Sequence, residues 1–102
     1  MGLDFSDIKD ETGAAVYALH NGFGAEERSV QRFCDKLGDQ AKVQIICLSA
    51  REKNGARVAD FYDIQTLPAI LIVRDSDEIA YSWFGPDLPS VQEVSHLVKQ
   101  VG

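Results

Sequence analysis

The sequence predicts an α/β fold, a central mixed β-sheet with helices on both faces, and three observations carry that prediction. Apolar runs at residues 14–19 and 69–73, and one at 43–48 interrupted only by Gln44, have the length of strands buried on both faces. Between them the apolar period becomes helical, as at Val30, Phe33, Cys34 and Leu37, which recur at i, i+3, i+4 and i+7. The last strand-like run, 78–84, alternates instead and follows an acidic turn, as the second strand of a hairpin does. At 102 residues, 45% hydrophobic and 25% charged, the chain reads as a single domain over 1–102 with one compact core.

Each element has its own local signal. Asp4 or Ser6 suits the cap of a short helix through Glu11, stopped by Thr12-Gly13. The apolar run at 14–19 ends in a glycine-rich loop, His20-Asn21-Gly22-Phe23-Gly24. A helix follows from Ala25, with Glu26 and Glu27 in the first turn, where the helix dipole favours negative charge, and Gly38 at the place of a C-terminal cap. The strand at 43–48 leads to a short helix over 54–62 with Val58, Phe61 and Tyr62 on one side. Pro68 opens the strand at 69–73, and Asp75-Ser76-Asp77 turns the chain. The return at 78–84 places Ile79, Tyr81 and Trp83 on one face, for core packing or cover by the terminal helix. Ser90-Val91-Gln92-Glu93 is a capping box, and its helix carries Val91, Val94, Leu97, Val98 and Val101 on one face. The predicted order is α-β-α-β-α-β-β-α.

Residues 58–73 are more specific. They read Val-Ala-Asp-Phe-Tyr-Asp-Ile-Gln-Thr-Leu-Pro-Ala-Ile-Leu-Ile-Val: a helix ending in Tyr, then Ile, a short link, an apolar residue and a proline opening a strand. With the acidic turn after Val73 and Gly85 closing the next strand, this stretch resembles the thioredoxins. The resemblance covers essentially the whole chain and implies the thioredoxin fold, with a cis bond before Pro68. Proline suits such a position on its own chemistry, because an X–Pro bond adopts cis at a cost of ~0.5–1 kcal/mol against ~2.5–4 for other residues. Pro68 also lacks an N–H, which leaves neighbouring backbone groups to face an incoming chain. A fold alone does not name an activity.

The same resemblance marks what has gone. Thioredoxins end the first long strand in a Cys-Gly-Pro-Cys motif, where one thiolate attacks and the second cysteine resolves the mixed disulfide. Counted back without gaps from the strand at 43–48, that motif falls on Gly22-Phe23-Gly24-Ala25, whereas the two cysteines here are Cys34 and Cys47. The family's buried aspartate and lysine fall on Val16 and Cys47, and its tryptophan-containing approach is replaced by Ala18-Leu19-His20-Asn21. An unpaired buried charge with no thiols to serve would only cost stability. The expectation is a redox-inactive domain with no disulfide reductase activity and no catalytic residues.

The remaining candidates are few. Cys34 lies on a helix stripe and Cys47 in what reads as a central strand, so both are expected to be buried, reduced and unlinked. The alternative function is a single-cysteine redox sensor or thiol-dependent enzyme using Cys34, which has Arg32 and Lys36 nearby in sequence. His20 reads as a polar loop residue and His96 as solvent-exposed; two histidines and two core thiols at these spacings build no metal site, and no cofactor is expected. Gly22-Phe23-Gly24 lacks the third glycine and downstream acid of a dinucleotide loop. Its glycines suit positive φ and close approach of a partner's backbone. Phe23 is either a peptide anchor or a staple on its own helix. The candidate peptide-binding residues are therefore Gly22, Phe23, Gly24, Leu67, Pro68, Phe84 and Gly85, suited to an extended chain held by backbone hydrogen bonds.

Net charge is −6 with scattered basic residues, which disfavours nucleic acid, because phosphate binding needs a basic stripe. No apolar run approaches the ~20 residues of a membrane span. The start, Met1-Gly2-Leu3-Asp4-Phe5-Ser6-Asp7, lacks the basic flank and apolar core of a secretory signal, and Gly2 with Ser6 matches a myristoylation pattern only minimally. The expectation is a cytoplasmic protein, monomeric or weakly homo-oligomeric, with an unidentified protein or peptide partner and no membrane role.

Overall fold

The computed structural model describes residues 8, 9 and 13–101, and the helix expected to begin at Asp4 or Ser6 falls largely outside them. The described elements are β1 (Ala15–His20), α1 (Gly24–Gln40), β2 (Gln44–Ser49), α2 (Lys53–Phe61), β3 (Ala69–Val73), β4 (Ile79–Phe84) and α3 (Val91–Val101). The four strands form one mixed sheet in the order β2-β1-β3-β4. β1 and β2 run parallel, with Val16 opposite Ile45 and Ala18 opposite Cys47. β3 is antiparallel to both β1 and β4.

Alternation along β1 and β3 divides the core into two layers, because successive side chains leave opposite faces of a sheet. Val16, Ala18, Ile70 and Ile72 meet Val30, Phe33, Cys34 and Leu37 of α1 and Val94 and Val98 of α3. On the other face Ala15, Tyr17, Leu19, Ala69, Leu71 and Val73 pack with Val58 of α2. Every residue of β1 and β3 is buried, as continuous apolar runs between two helix layers must be. The expected α/β sandwich is the observed one.

Four local expectations are corrected. Gly38 does not end α1; the helix continues to Gln40, and the Ala41 N–H closes it on the Leu37 carbonyl at 2.8 Å. Gly38 is exposed, so no packing demand forces a stop there. Among the described residues β2, like β4, is an edge strand of the sheet, and its residues before Ser49 are half-buried, whereas the sequence pattern puts Cys47 in a central strand. A register irregularity between Ile72 and Val73 sets Ile79 opposite Val73 and Tyr81 opposite Ile72. The alternation therefore breaks at one extra residue, and Ile79 does not share a face with Tyr81 and Trp83. Trp83 packs partly buried on the α1/α3 layer, with its ring stacked 6.4 Å from Tyr81. Finally, His20 is the last residue of β1 and is only 3% exposed, not a solvated loop residue.

At the end of the sheet away from that histidine, the β3–β4 turn is closed by Tyr62, whose hydroxyl donates to the Asp77 carbonyl at 2.6 Å. Lys9 is buried there, and its ammonium sits 3.4 Å from the Asp77 carboxylate, so the buried charge is paired.

Candidate functional site

The opposite end of the sheet is where the β1–α1 loop, the β2–α2 loop and the Pro68 turn converge. Side chains satisfy consecutive backbone donors of the β1–α1 loop. Asn21 N–H donates to Glu26 Oε2 at 2.6 Å, Gly22 N–H to His20 Nδ1 at 2.9 Å, and Phe23 N–H to Asn21 Oδ1 at 3.1 Å. Since Nδ1 accepts, the neutral His20 ring carries its hydrogen on Nε2. His20 is thereby a structural strut under the loop.

Gly22 lies at φ +89 against Ser49, and a Cβ there would collide with the Ser49 hydroxyl. That hydroxyl accepts the Arg51 N–H at 3.1 Å, and the His20 carbonyl accepts the Ala50 N–H at 2.8 Å. The first two connections are therefore locked together by hydrogen bonds and by a glycine with no room for a side chain. Phe23 precedes α1 in an extended conformation, 53% exposed, with the Arg51 guanidinium 4.5 Å above its ring centroid. It is not a staple on its own helix; it presents an aromatic face held by a cation.

Beside this loop the chain enters β3 through a cis Leu67–Pro68 bond, and the Pro68 carbonyl accepts the Gly85 N–H at 2.9 Å. A recess of about 230 Å³ opens between the first turns of α1, this proline and the β4–α3 connection. Its lining is Ala25, Glu26, Ser29, Pro68, Pro86 and Leu88. Of the candidate residues, Pro68 lines it, Gly85 is bonded to Pro68, and Gly22, Phe23 and Gly24 lead into its helical wall. Leu67 instead packs on the α2-side core, and Phe84, 50% exposed, pairs with Ala69 of that same side. The structure thus divides the candidate set across the Pro68 turn.

Ala25, Glu26, Ser29 and Leu88 were missed by sequence reasoning, whereas Pro86 belongs to the Phe84-Gly85-Pro86 end that the sequence offered as a groove wall. Ala25 and Ser29 stand one turn apart on α1, the only periodic hint available. Nothing local joins them to Pro86 and Leu88.

The thiols are arranged differently from expectation. Cys34 is buried, but Cys47 is half-buried, because β2 is an edge strand among the described residues, and both pack in the α1-facing layer. Hydrogen bonding with Cys34 holds Cys47 below the ordinary thiol range, against the opposing effects of burial and the Asp35 and Glu27 carboxylates. The same hydrogen bonding, with burial and the negative charge of Cys47 and Asp35, pushes the Cys34 thiol up.

Among the described residues no group of three or more His, Cys, Asp or Glu side chains could hold a metal ion. No described helix is long and apolar enough to cross a membrane.

No protein-family model matches the sequence, and no curated protein matches it. Solved structures do. The chain is similar to a mutant thioredoxin from Halobacterium salinarum, with a TM-score of 0.76 and 13% identity over 99% of this chain and 86% of that one. It is similar to thioredoxin O2 from Arabidopsis thaliana in its oxidized state, at 0.70 and 12%, covering 95% and 82% of the two chains. An uncharacterized thioredoxin-like protein from Clostridium perfringens matches at 0.76 and 13%, covering 98% and 79%. At these identities the likeness establishes a thioredoxin-like fold.

Proposed function

We propose that this domain binds an extended segment of another protein in the groove at the Pro68 turn and carries out no dithiol–disulfide exchange there. The recess of about 230 Å³ beside Pro68 carries the reading. It is smaller than the ~300–1,000 Å³ of typical small-molecule sites, which suits one or two side chains of a crossing peptide. Ala25, Pro68, Pro86 and Leu88 offer apolar walls, while Glu26 and Ser29 form a polar edge. The matching peptide has an apolar side chain beside a hydrogen-bond donor or a basic residue. Phe23 adds an exposed anchor at the end of the groove, the kind of aromatic group that dominates binding energies. The absence of thiol exchange follows from the loop sequence, since attack and resolution require cysteines that Gly22-Phe23-Gly24-Ala25 does not supply.

The test is selection of linear peptides from a random display library on the folded domain. An enriched peptide is then titrated into isotopically labelled protein. Amide shifts should cluster at residues 22–29, 67–69 and 85–88. Shifts confined to the outer faces of α2 and α3 would show that the binding surface lies elsewhere. In parallel, reduction of insulin disulfides should stay at the rate of the reductant alone, and a rate comparable with an ordinary thioredoxin would end the redox-inactive reading.

A further inference from the structure

One stripe of α1 continues outward from the recess beside Pro68. At about 3.6 residues per turn, Ala25 and Ser29 of the lining align with Arg32 and Lys36, and Arg28 stands beside them. Arg28, Arg32 and Lys36 are all exposed, and among the described residues none comes within ion-pair distance of a carboxylate. Glu27 and Asp35 fall on the flank toward β2, where their charge acts on Cys47, and Asp39 follows about one turn beyond Lys36. A row of unpaired cations thus leads away from the recess, on a chain whose net charge is −6. Such a local reversal of sign attracts a ligand that carries negative charge at matching places.

We propose that the segment bound at the Pro68 turn is acidic to one side of its apolar anchor, with carboxylates two and four residues from the anchor meeting Arg32 and Lys36. The inference rests on the reading of the recess as a peptide groove and names the class of peptide. Along the helix axis Arg32 lies about 4.5 Å beyond Ser29, and Lys36 about 10.5 Å beyond it. An extended peptide presents same-face side chains about every 6.6 Å. The long, flexible stems of arginine and lysine span the difference. Arg28, beside the first contact, adds a third cation at the same end of the row. A nucleic-acid strand fits less well, because three cations are a short phosphate track and the neighbouring flank carries Glu27 and Asp35.

The experiment selects random displayed peptides on the wild-type protein and on an Arg32→Gln/Lys36→Gln double variant, since glutamine keeps helix propensity at these exposed positions. A Lys53→Gln/Arg74→Gln control removes the same charge from exposed positions off α1. Wild-type selections should enrich Asp or Glu two to four residues to one side of an apolar residue. With the double variant the acidic preference should vanish while the apolar anchor remains. A peptide selected on wild type should bind the double variant about fivefold or more weakly, bind the control unchanged, and weaken on going from about 0.05 M to about 0.5 M salt. Enriched peptides with no acidic bias, or equal losses in the double variant and the control, would overturn the inference and leave the groove standing. No enriched peptide, or amide shifts that miss residues 67–69 and 85–88, would remove the groove and this inference with it. A single-stranded oligonucleotide that binds more tightly than the acidic peptide, and is lost in the double variant, would reassign the row to nucleic acid.

Discussion

Phe23 stands just before α1, its ring in a cation–π contact with Arg51 and exposed to solvent. Such a contact contributes about 0.5–1 kcal/mol at an exposed site, so truncation should change stability little. An aromatic anchor in a peptide groove contributes more. Phe23→Ala is expected to weaken a selected peptide by about 1–3 kcal/mol, with the thermal midpoint nearly unmoved. Calorimetric titration beside a melting curve separates the two quantities, and equal loss in both would make Phe23 a packing residue. His20 illustrates how a polar residue is absorbed into structure. Its Nδ1 holds the Gly22 N–H and so shapes the loop that presents Phe23.

Among the elements, α2 lies against the end of β2 at Gly55, where an added Cβ would run into the Ser49 carbonyl. Backbone on both sides cannot yield as a flexible side chain does, so Gly55→Ala should destabilise by about 1–3 kcal/mol despite alanine's better helix propensity. Urea denaturation gives the value directly, and an unchanged or raised midpoint would mean that α2 shifts freely on β2. At α3 the Ser90 hydroxyl accepts the Glu93 N–H at 3.0 Å, half of the capping box read from the sequence. Ser90→Ala should cost about 1 kcal/mol by the same measurement, while Ser90→Asp should retain most of the cap. α2 ends with Asp63 at φ 52, and Ile64 N–H returns to the Ala59 carbonyl at 2.9 Å, so a left-handed residue closes that helix where no glycine stands.

Across the molecule, two apolar layers share one sheet, and the α2 layer contains a phenol. Tyr17 is fully buried among Leu19, Val58 and Leu71, and burial, with the Asp77 carboxylate nearby, pushes it up to about 12 from an ordinary value near 10. Tyr62 moves in the same direction for the same first cause. A raised acid is stabilised in its protonated form by folding. That stability is fully present below about pH 10 and is lost as pH rises through about 12. The wild-type melting temperature should therefore fall across this window, with phenolate absorbance lagging until the protein unfolds. Tyr17→Phe should lose less on going from pH 9 to pH 12, the sign expected when the ionisable group is gone. Parallel curves for the two proteins would show that Tyr17 carries no alkaline linkage.

Period and punctuation sufficed for β1, β3, α3 and the α/β class because those signals are local: a doubly buried strand must be apolar throughout, and a capping box acts within one turn. The loop without cysteines was equally legible, since it depends only on which residues are present. The recess was not. It needs residues 25–29, 68 and 86–88 at one place, and no property of any one segment encodes that meeting. The same holds for Cys47, whose apolar setting in the chain suggested burial while its strand's place at an edge of the sheet left it half-buried. Side-chain patterns specify which faces turn inward, but which strands lie at the edges depends on how the chain crosses over. Only the folded topology supplies that information.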